Sequence, residues 1–198
     1  MTLERGTNFI ETERLLLRRI VPADFGFFAR LHADPDVTRF IGPGRPRTAG
    51  ESDDWLRSTI ASYDSCALGQ LAVVRKSDGA LIGRCGLAEF VVDVNAGPGL
   101  PRAWFQRSAV PPGLAVDLEP ELGYTFDKAC WGNGYASEAA RRVFDYAIRV
   151  LRLPRAVSVI HPDNAASLRV ARRFALERDG SVQMDAAICE RYLWPATI

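Results

Sequence analysis

The chain is nearly without lysine. Lys76 and Lys128 are the only two among 25 cationic side chains, and the formal net charge is +1. No global field therefore marks a partner of nucleic acid or of a membrane surface. Two histidines, His32 and His161, and four scattered cysteines, Cys66, Cys85, Cys130 and Cys189, form no CxxC or zinc-like spacing. No metal is expected, and the cysteines read as reduced core residues. No apolar run is long enough to span a bilayer, and no signal-peptide core is visible, so a cytoplasmic location is expected. Internal repeats and linkers are lacking too. What is left is 198 residues that are 47% hydrophobic and 25% charged, which reads as one globular domain over 1–198.

Arg14 to Ile20 is a short apolar run between charges and reads as a first strand. Val21-Pro22-Ala23-Asp24 opens a helix with Phe27, Phe28 and Leu31 on one face, which Asp34-Pro35 ends. A short helical turn through Val37 and a Gly/Pro loop over 42–48 follow. Glu51 to Tyr63 is predicted helical, with Trp55, Leu56, Thr59, Ile60 and Tyr63 on one side. Leu71–Arg75 and Leu81–Val92 read as strands joined by a hairpin turn at Ser77-Asp78-Gly79. Residues 93–117 hold several Pro and Gly residues around Trp104-Phe105 and read as a loop insertion. It is either a disordered insertion whose aromatics cover a core edge, or a lid or acceptor-binding loop. Glu119–Phe126 is a strand carrying Glu121. Ala156–His161 is a β-branched strand stopped by Pro162, and Asp163 opens a second helix running to Phe174. Two short strands, near 176–184 and 187–193, close the chain.

The stretch Trp131-Gly132-Asn133-Gly134-Tyr135-Ala136-Ser137-Glu138-Ala139 is the most distinctive. Ala136, Ala140, Val143, Phe144, Ala147, Ile148 and Leu151 recur at helical steps behind it. A helix start leaves N–H groups unpaired, and glycines there let an anion approach them. The segment is either a phosphate or pyrophosphate cradle or a glycine-rich entry turn without a ligand.

Taken together, these residues resemble the GNAT acetyltransferases, in particular the RimJ/RimL-like branch. The likeness spans nearly the whole chain. It rests on Glu11-Thr-Glu-Arg-Leu-Leu-Leu-Arg-Arg19, Ala33-Asp-Pro-Asp-Val37, Ile82-Gly-Arg-Cys-Gly-Leu87, Glu121-Leu-Gly-Tyr124, Trp131 to Ala139 and His161-Pro-Asp-Asn-Ala-Ala-Ser167. Trp131 replaces the Gln or Arg that opens the general glycine loop, and Phe174-Ala175-Leu176 replaces Leu-Gly-Phe after the second helix. The insertion after Val92 is longer than usual.

The resemblance implies an α/β fold of the α+β kind. Its central sheet is mixed, mostly antiparallel, splayed between the strands at 119–126 and 156–161, and flanked by helices. It implies acetyl-CoA as cosubstrate and an amine acceptor, either a protein N-terminus or a small molecule. Oligomeric state is open, a homodimer being one option. Pyrophosphate would meet the amides of Trp131, Gly132, Asn133, Gly134, Tyr135, Ala136 and Ser137, where Ser137 caps the helix, touches phosphate, or does both. Pantetheine would pair with the edge at Gly123, Tyr124 and Thr125. Arg141, Arg142, Arg169, Arg172 and Arg173 are candidates for phosphate charge or are solvated helix faces.

Amine attack requires loss of a proton, since an α-amine titrates near ~8 and a lysine near ~10.4. Glu121 is the first candidate base and Glu119 the second; either could instead be a carboxylate paired with arginine. Ser167 would protonate the leaving thiolate, unless its hydroxyl only bonds locally. Asn164 would order cofactor or a catalytic water, or cap its helix. Tyr192 is a weaker acid candidate and His161 a weaker base. A covalent route through Cys130 needs a neighbouring base, which the sequence does not show. The cluster Glu51, Asp53 and Asp54 would suit a polycationic acceptor. Two other readings compete: a non-catalytic acyl-CoA-binding protein on the same scaffold, and a dinucleotide binder from Gly132-x-Gly134-x-x-Ser137. The second lacks the strand-to-glycine adjacency and the acidic residue about 20 positions on.

Overall fold

The computed structural model describes residues 9–65, 69–95, 97, 99–106, 109–184 and 187–195; Cys66 lies outside them. The chain forms two compact units, Met1–Leu87 with Gly123–Arg152, and Ala88–Leu122 with Leu153–Ile198. Strands β4 (Leu81–Asp93) and β6 (Val116–Phe126) each run through both. The architecture is mixed α/β, with helices flanking a mixed sheet.

In the first unit, β1 (Phe9–Glu11), β2 (Leu15–Arg19), β3 (Gln70–Arg75) and β4 pair antiparallel in that order. Alternation in β2 sends Leu15 and Leu17 into the core. Helices α1 (Phe25–Ala33), α2 (Pro35–Thr38) and α3 (Ala49–Ser65) bury Phe28, Leu31, Val37 and Leu56 with Ile20 and Ala72. Helix α3 starts ahead of Glu51 because Thr48 and Glu51 form a reciprocal cap: Thr48 N–H donates to Glu51 Oε2 at 2.8 Å, and Glu51 N–H to Thr48 Oγ1 at 3.2 Å. The close approach of β4 to β6 requires glycine at 83, where a Cβ would stand 2.3 Å from the Thr125 carbonyl oxygen. Helix α4 (Tyr135–Arg149) lies against β1 and β2 and buries Ala139, Ala140, Val143, Phe144 and Ala147.

The second unit corrects the expected loop at 93–117. Arg102–Gln106 is a strand, β5, antiparallel to β4 (Val92 opposite Trp104) and parallel to β8 (Glu177–Met184). Aromatic residues 104 and 105 drive it, since Trp104 is 7% exposed and sits in the core. Strands β8 and β9 (Ala187–Leu193) pair antiparallel, as do β9 and β7 (Val157–Ile160). Strand β7 meets β6 in parallel at Glu121–Val157. One residue on, the Ser158 hydroxyl donates to Leu122 O at 2.7 Å and accepts from Trp194 Nε1 at 2.9 Å. Helix α5 (Ala165–Arg173) follows β7.

Candidate active site

The glycine turn is held by its own side chains. Asp127 accepts the Ala129 N–H at 2.9 Å, opening a single 3-10 turn over Lys128–Cys130. The indole of Trp131 donates to Phe126 O at 2.9 Å, while Asn133 Nδ2 donates to the carbonyls of Cys130 and Trp131, each at 3.1 Å. Gly132 and Gly134 take φ of 80° and 79°, a region that L side chains enter only with strain. Gly134 is the N-cap of α4, and the first helical bond runs from Glu138 N–H to Gly134 O at 3.1 Å. The amides of Tyr135, Ala136 and Ser137 thus lie in the first turn, where helix geometry supplies no intrahelical acceptor. Ser137 is the third helical residue, not the cap, which removes the simplest explanation of its hydroxyl.

A second element reaches this turn. Arg14 Nε donates to Glu138 Oε2 at 2.6 Å, Arg14 Nη1 to Asn133 O at 3.1 Å, and the Arg14 backbone N–H to Glu138 Oε1 at 3.0 Å. Thr12 adds its hydroxyl to Glu138 Oε1, and the Arg14 guanidinium lies 4.7 Å over the Tyr135 ring. Burial opposes ionisation of Glu138, but these donors together hold its carboxyl below the ordinary range. Both segments stand out in the sequence, but their contact does not, since a single sequence carries no signal for pairing across 124 positions.

The expected phosphate arginines on α4 are committed elsewhere. Arg141 pairs with Asp145 at 3.2 Å and Arg142 Nε donates to Glu11 O at 3.1 Å. Arg169, Arg172 and Arg173 are exposed. In the acidic cluster at α3, Glu51 pairs with Arg45 and Asp53 with Arg57, each at 2.6 Å. Gly123 and Tyr124 are half-buried, and Thr125 is buried. Cys130 is buried, and desolvation pushes its thiol up despite Arg75 nearby, the wrong direction for a nucleophile.

In the second unit the two candidate bases separate. Glu119 is fully buried and bound to Arg191 Nε and Nη2 at 3.1 and 2.6 Å, and to Arg155. Arg191, itself 2% exposed, also binds Asp179. Glu119 is therefore a structural charge and not a base, a role that required a partner 72 positions away. Glu121 is half-buried, and its charge helps burial raise the Cys189 thiol. Asn164 caps α5, its Oδ1 accepting the Ser167 N–H at 3.1 Å. His161 Nδ1 accepts the Asp163 N–H at 3.1 Å, fixing the turn before that cap. The Tyr192 hydroxyl donates to Glu190 Oε2 at 2.6 Å; burial, then this bond, raises its pKa, making it a poorer acid.

Residues 14–177, more than half of the chain, match the family model described as the acetyltransferase (GNAT) domain. The chain belongs to the GNAT acetyltransferases. Among its relatives, YkkB of Bacillus subtilis (strain 168) is 28% identical over 174 residues, covering 87% of each chain. The N-acetyltransferase p20 of Bacillus licheniformis is 22% identical over 169 residues, covering 85% of this chain and 82% of p20. A crystal structure of an acetyltransferase from Agrobacterium tumefaciens str. C58 superposes with a TM-score of 0.72 at 27% identity, covering 98% of both chains.

A GNAT acetyltransferase uses an acyl-CoA cosubstrate and an amine acceptor. The turn fits the cosubstrate's diphosphate in its donor set: first-turn amides and glycine on both sides of Asn133. A Cβ built on Gly132 meets nothing within 4 Å, so that face is open to a ligand. No group of metal-ligating side chains occurs among the described residues, and no described helix is long and apolar enough to cross a membrane.

Proposed function

We propose that the chain is an acetyl-CoA-dependent N-acetyltransferase of the RimJ/RimL-like kind, moving an acetyl group directly to a primary amine. The acceptor is a protein N-terminal amine or a small amine. The observation that carries this reading is the left-handed glycine pair feeding the first turn of α4. Gly132 to Ser137 would bind the diphosphate through main-chain amides, with Trp131 and Asn133 holding the turn. The main chain at Gly123, Tyr124 and Thr125 would pair with the pantetheine amides. The parallel β6–β7 pairing at Glu121–Val157 supports the expected neighbouring of these two strands.

The thioester supplies an activated acetyl carbon. Glu121, directly or through water, takes the ammonium proton so that the nitrogen lone pair can attack. As the C–N bond forms and the C–S bond breaks, the Ser167 hydroxyl gives its proton to the departing sulfur and regains one from the acylated nitrogen, leaving the amide and the free thiol. Asn164 holds Ser167 in the first turn of α5 and offers its Nδ2 to cosubstrate or water. The raised Cys130 thiol supports direct transfer over an acyl-cysteine route.

Thiol release from acetyl-CoA across peptides, polyamines and aminoglycosides tests the reading. Release that depends on an amine, and that falls about 100-fold or more in Glu121→Gln, is expected. Turnover that survives both Glu121→Gln and Ser167→Ala overturns the residue roles. No release with any amine overturns the reaction.

A further inference from the structure

Strand β5 completes a ring in the second unit. It joins β4 to β8; β8, β9, β7 and β6 follow in order; and β6 returns to β4, with Val94 N–H donating to Ala115 O at 3.2 Å. Side chains from five of these strands, Val92, Trp104, Val157, Val182 and Cys189, converge in one buried cluster. Glu121 stands directly beside Val157 in the β6–β7 register, so its side chain shares that inner face. Its charge is felt at Cys189, which agrees with this placement.

Trp104 is the exception on this face. Its ring stacks on Phe90 with centroids 5.3 Å apart, yet its Nε1–H is buried with no hydrogen-bond partner among the described residues. An indole N–H is a donor only, and buried donors of this kind are normally paired. The ring therefore brings an unanswered donor and the candidate base to the same enclosed face.

We propose that this ring receives the acceptor and that Trp104 determines its specificity. Resting on the transferase reading above, the proposal has the indole N–H donate to an oxygen close to the reacting amine. An α-amino amide, as at a peptide N-terminus, and a 2-amino alcohol, as in an amino sugar, both carry such an oxygen. Alkylamines and polyamines do not. A site built to bond an oxygen discriminates against isosteres that lack it.

The test compares kcat/KM of wild type and Trp104→Phe for two matched pairs, alaninamide with sec-butylamine and glucosamine with cyclohexylamine. Each amine is its own reference, so its protonation cancels. The variant should lose about tenfold on an oxygen-bearing amine, the worth of one hydrogen bond, and leave its partner within about twofold. Loss on alaninamide alone identifies a peptide-like acceptor, and on glucosamine alone an amino sugar. Equal loss on both members of each pair, or none, overturns the proposal. Should the variant fail to fold, the Trp104 indole N–H resonance of the wild-type protein with CoA decides instead. It should move downfield with alaninamide or glucosamine and not with sec-butylamine; no movement with any amine overturns the proposal. Absence of thiol release in wild type would sink the transferase reading separately, while the titration still decides the role of Trp104.

Discussion

Arg14 and Glu138 are joined by a forked ion pair, Nε and Nη2 of the arginine each 2.6 Å from Oε2 of the glutamate. The same guanidinium donates to Asn133 O, inside the glycine turn. One side chain from the end of the β1–β2 hairpin thus fixes both the helix start and the loop ahead of it. The pair is half open to solvent, so its contribution to stability is small, about 1 kcal/mol at most. Its effect should fall on ligand binding. Arg14→Ala is expected to raise the KM for acetyl-CoA about fivefold with little change in kcat. Arg14→Lys keeps the charge but not the fork and should recover only part of the loss. An unchanged KM in Arg14→Ala would contradict a positioning role.

Gly132→Ala isolates the backbone requirement of the turn. Nothing stands within 4 Å of the added methyl, so the cost is the left-handed conformation itself, about 1–2 kcal/mol. Calorimetric titration should show CoA binding weakened by about tenfold, with the unfolding midpoint lowered by a few degrees at most. Unweakened binding would mean the turn does not carry the diphosphate.

Glu119 and Glu121 are two residues apart on one strand and should fail differently. Removing the Glu119 carboxylate leaves Arg191 buried without its main partner, a loss of about 3–5 kcal/mol in urea unfolding for Glu119→Ala. Glu121→Gln should leave the urea midpoint nearly unchanged and lower kcat. Equal stability losses in the two variants would contradict the separation of roles.

His32 sets a pH dependence of stability. It is 2% exposed against Phe28 and Trp55, and burial, helped by Arg84 and Arg47, pushes its pKa down to about 3. The unfolded chain takes up a proton near pH ~6.5 that the folded chain refuses. Stability from the neutral ring is therefore fully present above ~6.5 and declines as pH falls below it, by up to ~1.4 kcal/mol per unit, until about 3. Wild type should lose about 1.6 kcal/mol between pH 6.5 and 5 that His32→Phe does not. Parallel pH profiles for the two proteins would rule this out.

Local signals were legible in the sequence. Helical periodicity located α1, α3 and α4, Asp163 marked the opening of α5, Asp78-Gly79 marked the β3–β4 hairpin, and the glycine turn announced the start of α4. What stayed hidden was non-local. Strand β5 is five residues among Pro and Gly, stabilised by Val91 opposite Phe105 on one side and Gln183 beside Ala103 on the other. Neither partner is visible from the segment itself, so its composition read as loop. The sequence showed two carboxylates on β6 but not that Arg191 would claim one of them. Gly83 belonged to a recognised motif, yet its reason, the Thr125 carbonyl packed against it, exists only in the fold.

Main-chain amides at the start of α4 are expected to bind the diphosphate of coenzyme A. Backbone amide resonances of the 15N-labelled protein, followed during titration with CoA and with pantetheine, test it most directly. CoA is expected to shift Gly132 to Ser137, and pantetheine, which lacks the diphosphate, is expected to leave them in place. CoA binding that leaves those amides in place, or shifts them no more than pantetheine does, would contradict it.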